Sequence, residues 1–258
     1  MATVYDDYDA VKAVRRSDLW HIRRSPAHFF YHINHPAPVT AALTFGIACH
    51  KYILEPDTFS DEIAVWEGGD LRRKGVKEAR AAFEADCLER GIRCMITAED
   101  FDQIQQMAEV VWADPKAATL LNGIHERPVY WVDPDTGEAC KCKPDCITVF
   151  DGKTWIVDYK TTTSCEPGAF ERDCRRYGYQ LQAGMYTEGV FQAELEECRF
   201  AFIAQEKDPP YVVRVYTCDP EFVREGVDQF RELLGTYHFC KETGYWPGYD
   251  EEVLLANG

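Results

Sequence analysis

The chain has 258 residues, 46% apolar and 13% aromatic, which is enough for a substantial core and too apolar for a disordered segment. A formal net charge of −16 excludes a protein that coats nucleic acid at large, because such proteins are basic overall. No stretch of about eighteen apolar residues offers a membrane span. Met1 to Ala10 is acidic rather than a basic leader, so a soluble cytoplasmic protein is expected. The eleven cysteines are odd in number and are expected as free thiols.

The first forty residues read as helix and loop, with Ser25-Pro26 a good helix start and His35-Pro36-Ala37-Pro38 a break. Thr40 to Leu54 reads as a helix that Glu55-Pro56 ends. Residues 57 to 70 read as irregular, with one short apolar run. Leu71 to Arg90 is expected as a charged helix stopped by Gly91, and Ala98 to Ala113 as another, with Pro115 just beyond. Arg127 to Val132, Cys140 to Phe150 and Thr154 to Thr161 then suggest a three-stranded meander. One long helix from Pro167 to about Phe191 follows. Strands at Arg199 to Gln205 and Tyr211 to Tyr216 come next, and a helix from Pro220 to Lys241 closes the pattern. A mixed sheet flanked by helices is the expected α/β architecture.

The most informative segment runs from Lys143 to Lys160. It places Pro144-Asp145 thirteen residues before Asp158-Tyr159-Lys160, with an apolar strand and the turn Asp151-Gly152-Lys153 between. On a strand of period two, Asp158 and Lys160 share a face. Folding back at the turn can bring Asp145 beside Asp158. Two carboxylates and one lysine in a small space are what a metal-dependent phosphodiesterase needs. An Asp-x-Lys pair alone is more often a surface salt bridge, and the upstream Pro-Asp is what tips the reading. Gly46 precedes His50 on a predicted helix and is expected to let another segment approach closely. Gln182 and Tyr186, four apart, share a helix face. Cys140, Cys142 and Cys146 are expected on one strand face. They have no paired ligands elsewhere, so neither a zinc site nor an iron–sulfur cluster is expected.

Gly46-x-x-x-His50, Pro144-Asp145, Asp158-x-Lys160-Thr161 and Gln182-x-x-x-Tyr186, in this order, resemble the RecB-type branch of the PD-(D/E)XK nucleases. Within that branch, the segments 46 to 56, Glu126 to Asp145 and 155 to 163 resemble the nuclease domain of RecE-type exonucleases. The resemblance implies a restriction-endonuclease-like core and one nuclease domain over residues 1–258. Residues 1–120 would be mainly helical and carry His50, and 121–245 would form the catalytic core. It implies that His50, Asp145 and Asp158 bind Mg2+ or Mn2+, with the backbone carbonyl of Tyr159 completing the shell. Lys160 would position the nucleophilic water, and Gln182 and Tyr186 would lie beside the scissile phosphate or the terminal nucleotide. Glu126 is either a further partner of the metal or a cap on a strand end.

The implied reaction is 5′ to 3′ resection of double-stranded DNA, releasing 5′-mononucleotides and leaving 3′ overhangs for a RecT-type single-strand annealing protein in phage recombination. A homo-oligomeric ring, tetramer or trimer, is the implied assembly. The alternatives are an endonuclease or single-strand nuclease of the same fold, or a non-catalytic module that binds DNA ends. Relatives with an iron–sulfur cluster carry three late cysteines, where this chain has only Cys218 and Cys240. Candidate DNA contacts are Arg72, Arg73 and Lys74, and Arg172, Arg175 and Arg176.

Overall fold

The computed structural model describes residues 8–35, 38–69 and 75–249. Helices come first along the chain. Ser25 ends α1 (Arg16–Arg24) in extended backbone, and its hydroxyl accepts the His28 N–H to cap α2 (Pro26–Asn34), with Pro26 in the first turn. Thr40 caps α3 (Ala41–Leu54) in the same way through Leu43 N–H. Beyond Pro56 the chain makes a short 3₁₀ turn and the short helix α4 (Phe59–Glu62). The apolar run inside the stretch read as irregular becomes strand β1 (Ile63–Trp66). The next helix, α5 (Val76–Glu89), begins later than its charge pattern predicts, and Arg72, Arg73 and Lys74 lie outside the described residues.

The elements on either side of the Ala98–Ala113 helix have no counterpart in the sequence reading. Strand β2 (Cys94–Thr97) pairs in parallel with β1, and both are too short to show a period. Thr97 then forms a capping box with Asp100 at the start of α6 (Ala98–Ala113). Pro115 does not merely follow α6. It opens α7 (Pro115–Leu121), which Asp114 caps by accepting the Ala117 N–H at 2.8 Å.

The expected meander is corrected. A two-residue strand, β3 (Ile124–His125), comes first, then a separate hairpin of β4 (Val129–Val132) and β5 (Ala139–Cys142). The chain breaks at Lys143-Pro144-Asp145 before β6 (Cys146–Phe150) and β7 (Lys153–Thr162). Proline has no N–H to give a ladder, so one strand cannot run through Pro144. The break also separates the cysteines. Cys140 and Cys142 pack on one side of the molecule and Cys146 on the other, rather than on a shared face.

The expected long helix is two helices, α8 (Pro167–Tyr177) and α9 (Tyr179–Glu194), joined at Gly178. Gly178 takes φ +67°, and a Cβ there would lie 2.0 Å from the Trp20 ring, so a left-handed corner packed on an indole fixes the bend. Strands β8 (Cys198–Glu206) and β9 (Val213–Thr217) and helix α10 (Pro220–Thr243) complete the chain.

The main sheet has the order β3-β6-β7-β8-β9, with β7 and β8 parallel and the other neighbours antiparallel. Helices α3, α6 and α7 cover one face over Trp155, Val157, Tyr159 and Ile203. Helices α1, α2, α9 and α10 cover the other over Ile156, Phe200 and Phe202. No helix among the described residues is long and apolar enough to cross a membrane. Helices α9 and α10 nearly touch. A Cβ on Gly226 would sit 1.8 Å from the Gln180 carbonyl oxygen, so glycine is required at that crossing. Gly46 behaves differently from its expectation. A Cβ there meets nothing within 4 Å, so no segment packs against it, and it borders an open cleft instead.

Candidate active site

β7 carries two sets of polar groups on its two faces. Asp158 and Lys160 point toward α9, as the period of two requires, while Tyr159 points into the layer containing α3. Asp145 stands at the Pro144 break, just before β6. Its Oδ2 accepts the backbone N–H of Tyr159 at 2.7 Å, and Nδ1 of His50, on α3, lies 3.4 Å from the same oxygen. Glu126 stands where the chain leaves β3. Its φ of +50° is unusual for a residue with a Cβ, and backbone strain of this kind gathers at functional sites. Donor atoms of His50, Glu126 and Asp145 all lie within 4.8 Å of one another.

Asp158 adjoins this trio and is held from two sides. The Gln182 amide donates to its Oδ1 from α9, and the Lys160 ammonium faces its Oδ2. That second oxygen is buried, and the ammonium is its ion-pair partner. Lys160 also lies 5.1 Å from the centre of the Tyr179 ring, which limits where its ammonium can go. Tyr186, one turn beyond Gln182, is partly buried against the core, and burial raises its phenol pKa. Gln182 therefore acts first on Asp158, holding the carboxylate in place.

The charges are poorly balanced. Burial and the neighbouring Asp158 push the Asp145 carboxyl well above the usual carboxylate range. Burial raises Glu126 as well, against the pull of Lys143. Burial, followed by Lys160 and Lys143, pushes the His50 imidazole down to about 3, so it is neutral and free to donate a lone pair. Acids that resist ionising beside a neutral imidazole and a further buried carboxylate have the chemistry of a divalent-cation site. A cation would favour ionisation of the acids and keep the imidazole neutral, so the residues fit one.

The site opens into a cleft of about 490 Å3 bordered by Leu43, Gly46, His50, Glu126, Lys143 and Thr161. Arg172, Arg175 and Arg176 do not line it. Arg175 pairs with Glu171 at 3.0 Å on the exposed side of α8. Two basic residues outside the candidate DNA contacts do reach the site. Lys143 pairs with Glu126 at 2.6 Å. Arg16 falls in a run that suggests a solvated helix face, yet its guanidinium turns inward and donates to the carbonyls of Tyr177 and Gly178. Burial lowers its pKa, opposed by Tyr186 and Asp158. The Gly178 corner brings Arg16 in, and no local pattern in the sequence announces that corner.

Comparisons with known proteins agree with this arrangement. The model of the PDDEXK-like domain of unknown function (DUF3799) matches residues 16–256. No curated protein matches the chain. A crystal structure from Eubacterium rectale, provisionally designated an exonuclease, superposes with a TM-score of 0.62 at 14% identity, covering 95% of this chain and 87% of that one. The protein SSO0001 aligns over 60% of this chain and 70% of its own at 15% identity, but its TM-score of 0.28 is too low to mark a shared fold. At these identities the Eubacterium rectale structure speaks for the fold, and a RecE-type exonuclease is not separated from its wider superfamily. The family match spans nearly all of the chain, and by it the chain belongs to the PDDEXK-like DUF3799 family, and so to the PD-(D/E)XK nucleases.

Proposed function

We propose that the chain is a divalent-metal-dependent exodeoxyribonuclease that hydrolyses phosphodiester bonds from the ends of double-stranded DNA. The observation that carries the reading is the gathering of His50, Glu126, Asp145, Asp158 and Lys160 at one site beside the cleft, with Asp158 close enough to Asp145 to oppose its ionisation. Bound there, Mg2+ or Mn2+ supplies Lewis acidity at a phosphate oxygen and an activated water.

The protein's own contributions are specific. His50 and Asp145 offer a lone pair and a carboxylate oxygen on the α3 side, and Asp158 offers the carboxylate that Lys160 and Gln182 hold on the α9 side. The Tyr159 N–H and the Gln182 amide fix the two carboxylates, so their oxygens need not reorganise when substrate arrives. Lys160 keeps a positive charge beside the reacting centre, where it steadies the attacking water or the charge that develops. The Tyr159 carbonyl completes the ligand set, and Tyr186 meets the terminal nucleotide.

The exonuclease mode draws on the designation of the Eubacterium rectale structure and on the RecE-like motifs. Polarity from 5′ to 3′, release of 5′-mononucleotides and hand-over of a 3′ overhang to a RecT-type annealing protein rest on the motifs alone. A ring of three or four chains would gather basic residues around DNA while the exterior of a chain of net charge −16 stays acidic. Arg172, Arg175 and Arg176 of α8 are the candidates for that channel. The test is digestion of a linear duplex labelled at one terminus at a time, with Mg2+, with Mn2+ and with EDTA. Early loss of the 5′ label with the metals and none with EDTA is expected. Rapid cutting of closed circular DNA, or full activity in EDTA, would overturn the reading.

A further inference from the structure

Two-ion nucleases bind their ions about 3.5–4 Å apart and share a bridging carboxylate between them. In this chain Asp145 has Glu126 and His50 within reach, and Asp158 and Lys160 close enough to act on it. The Glu126 side is already served by a cation. Lys143 Nζ lies 2.6 Å from Glu126 Oε2, and Lys143 borders the cleft beside His50 and Thr161. Its charge reaches the whole cluster, since Lys143 is among the groups that hold down the protonation of His50, and Asp145 is among those that hold up its own.

We propose that the Lys143 ammonium replaces the second divalent ion, so that each chain binds one metal rather than two. The proposal rests on the nuclease reading above and names its cation set. The carboxylate that a second ion would need is already paired with the Lys143 ammonium at 2.6 Å. A second ion held by Glu126 would also sit beside the ammonium on the same carboxylate, and the two cations repel. Lys143 is there because of the Pro144 break. Where β5 ends, the chain turns, and the residue just before the proline extends over the cleft while Asp145, just after it, points into the trio.

The experiment is a Mn2+ titration of the intact chain followed by electron paramagnetic resonance, alone and bound to a short DNA duplex with phosphorothioate termini. The wild type is expected to take one Mn2+ per chain in both states, with no spectrum of a coupled pair. Lys143→Met, which keeps the half-exposed stem but removes the charge, is expected to take two and to show a coupled pair. Lys143→Arg is expected to return to one. Two coupled ions on the wild type, or one on Lys143→Met, would overturn the proposal and leave the nuclease reading intact. No Mn2+ uptake by the wild type in either state would sink both.

Discussion

The two faces of β7 hold buried polar clusters a single residue apart, and they are built in opposite ways. Behind the strand, the Tyr159 hydroxyl donates to Gln205 Oε1 at 2.6 Å, and Gln205 Nε2 donates to the carbonyls of Met107 and Tyr211. Both polar ends of the Gln205 amide thus have partners. At the site, which Asp158 and Lys160 enter from the front and His50 from the α3 side, the acids crowd one another: Asp145 is pushed toward its protonated form, and His50 is kept neutral. A satisfied buried network ties a core together, whereas an unsatisfied one costs stability and persists where a ligand completes it. The back of β7 therefore holds α3 and α6 on the sheet, and the site waits for a cation. Every prediction below separates these two roles.

The largest effect is expected on the front face. Asp158→Asn and Lys160→Ala should each lower turnover of linear duplex by about a thousandfold or more, since each removes a group that acts on the reacting centre. Neither should unfold the protein. Without metal, Asp158→Asn relieves Asp145 of an opposing acid but leaves Lys160 without its partner, so its melting temperature should stay near that of the wild type. The rise in melting temperature that Mn2+ gives the wild type should disappear, as binding to the folded state alone is what produces it. An Asn variant that keeps both turnover and the Mn2+ shift would place the metal elsewhere.

Next in size is an effect that reaches the front face through packing. Gly226→Ala puts a methyl group where the Gln180 carbonyl stands, so α9 and α10 must part. A loss of about 3 kcal/mol in urea unfolding is expected. Because Gln182 follows Gln180 on the same helix, turnover should fall as well, in proportion to how far its amide leaves Asp158. Gly46→Ala is the contrast. It meets no neighbour and replaces a helix-interior glycine, so stability should rise by roughly 0.5–1 kcal/mol.

How much of this was legible depends on the range of the interaction. Asp158, Lys160 and Asp145 could be read because period two and one tight turn are local rules. So could the capped helix starts at Ser25 and Thr40. Gln182 could be found by its helical spacing, but its hydrogen bond to Asp158 depends on how α9 crosses the sheet. The break at Pro144 is hidden because the alternation of Cys140, Cys142 and Cys146 runs through it, although the proline itself is the available signal. Strand β2 cannot be read, since four residues gain their identity from a parallel partner distant in the chain. The inward turn of Arg16 and the pairing of Lys143 are illegible for the same reason: a basic residue looks solvated until a corner elsewhere turns it inward.

On the back face, Tyr159→Phe removes a hydroxyl and leaves the Gln205 carbonyl oxygen buried without its donor. A loss of about 1–2 kcal/mol is expected, with Mn2+ uptake unchanged, because the backbone N–H that serves Asp145 remains. Reduced Mn2+ uptake would mean that the two faces are coupled through the strand.

The smallest effect tests the principle away from β7. Glu138 is a buried acid with its partners present: His238 Nδ1 at 2.9 Å and Lys241 Nζ at 2.7 Å, both from α10. Burial alone would raise its pKa, yet the hydrogen bonds from Lys241 and His238 outweigh burial and hold it below the usual carboxylate range. A carboxyl depressed in the folded state adds stability that is complete above its unfolded pKa and fades as pH falls through the folded one. Glu138→Gln should therefore cost about 1 kcal/mol near neutral pH, the value being kept low because water screens the half-exposed Lys241 and His238. The difference between variant and wild type should vanish in acid below the carboxylate range, as measured by urea unfolding across pH. Asp145 has the opposite sign. Its raised pKa means that the metal-free protein loses stability as pH climbs from the ordinary carboxylate value toward the folded one, so the gain from Asp145→Asn should grow above that value, where the loss from Glu138→Gln is already complete. Two buried acids in one chain thus respond to pH in opposite directions because only one of them has its cation built in.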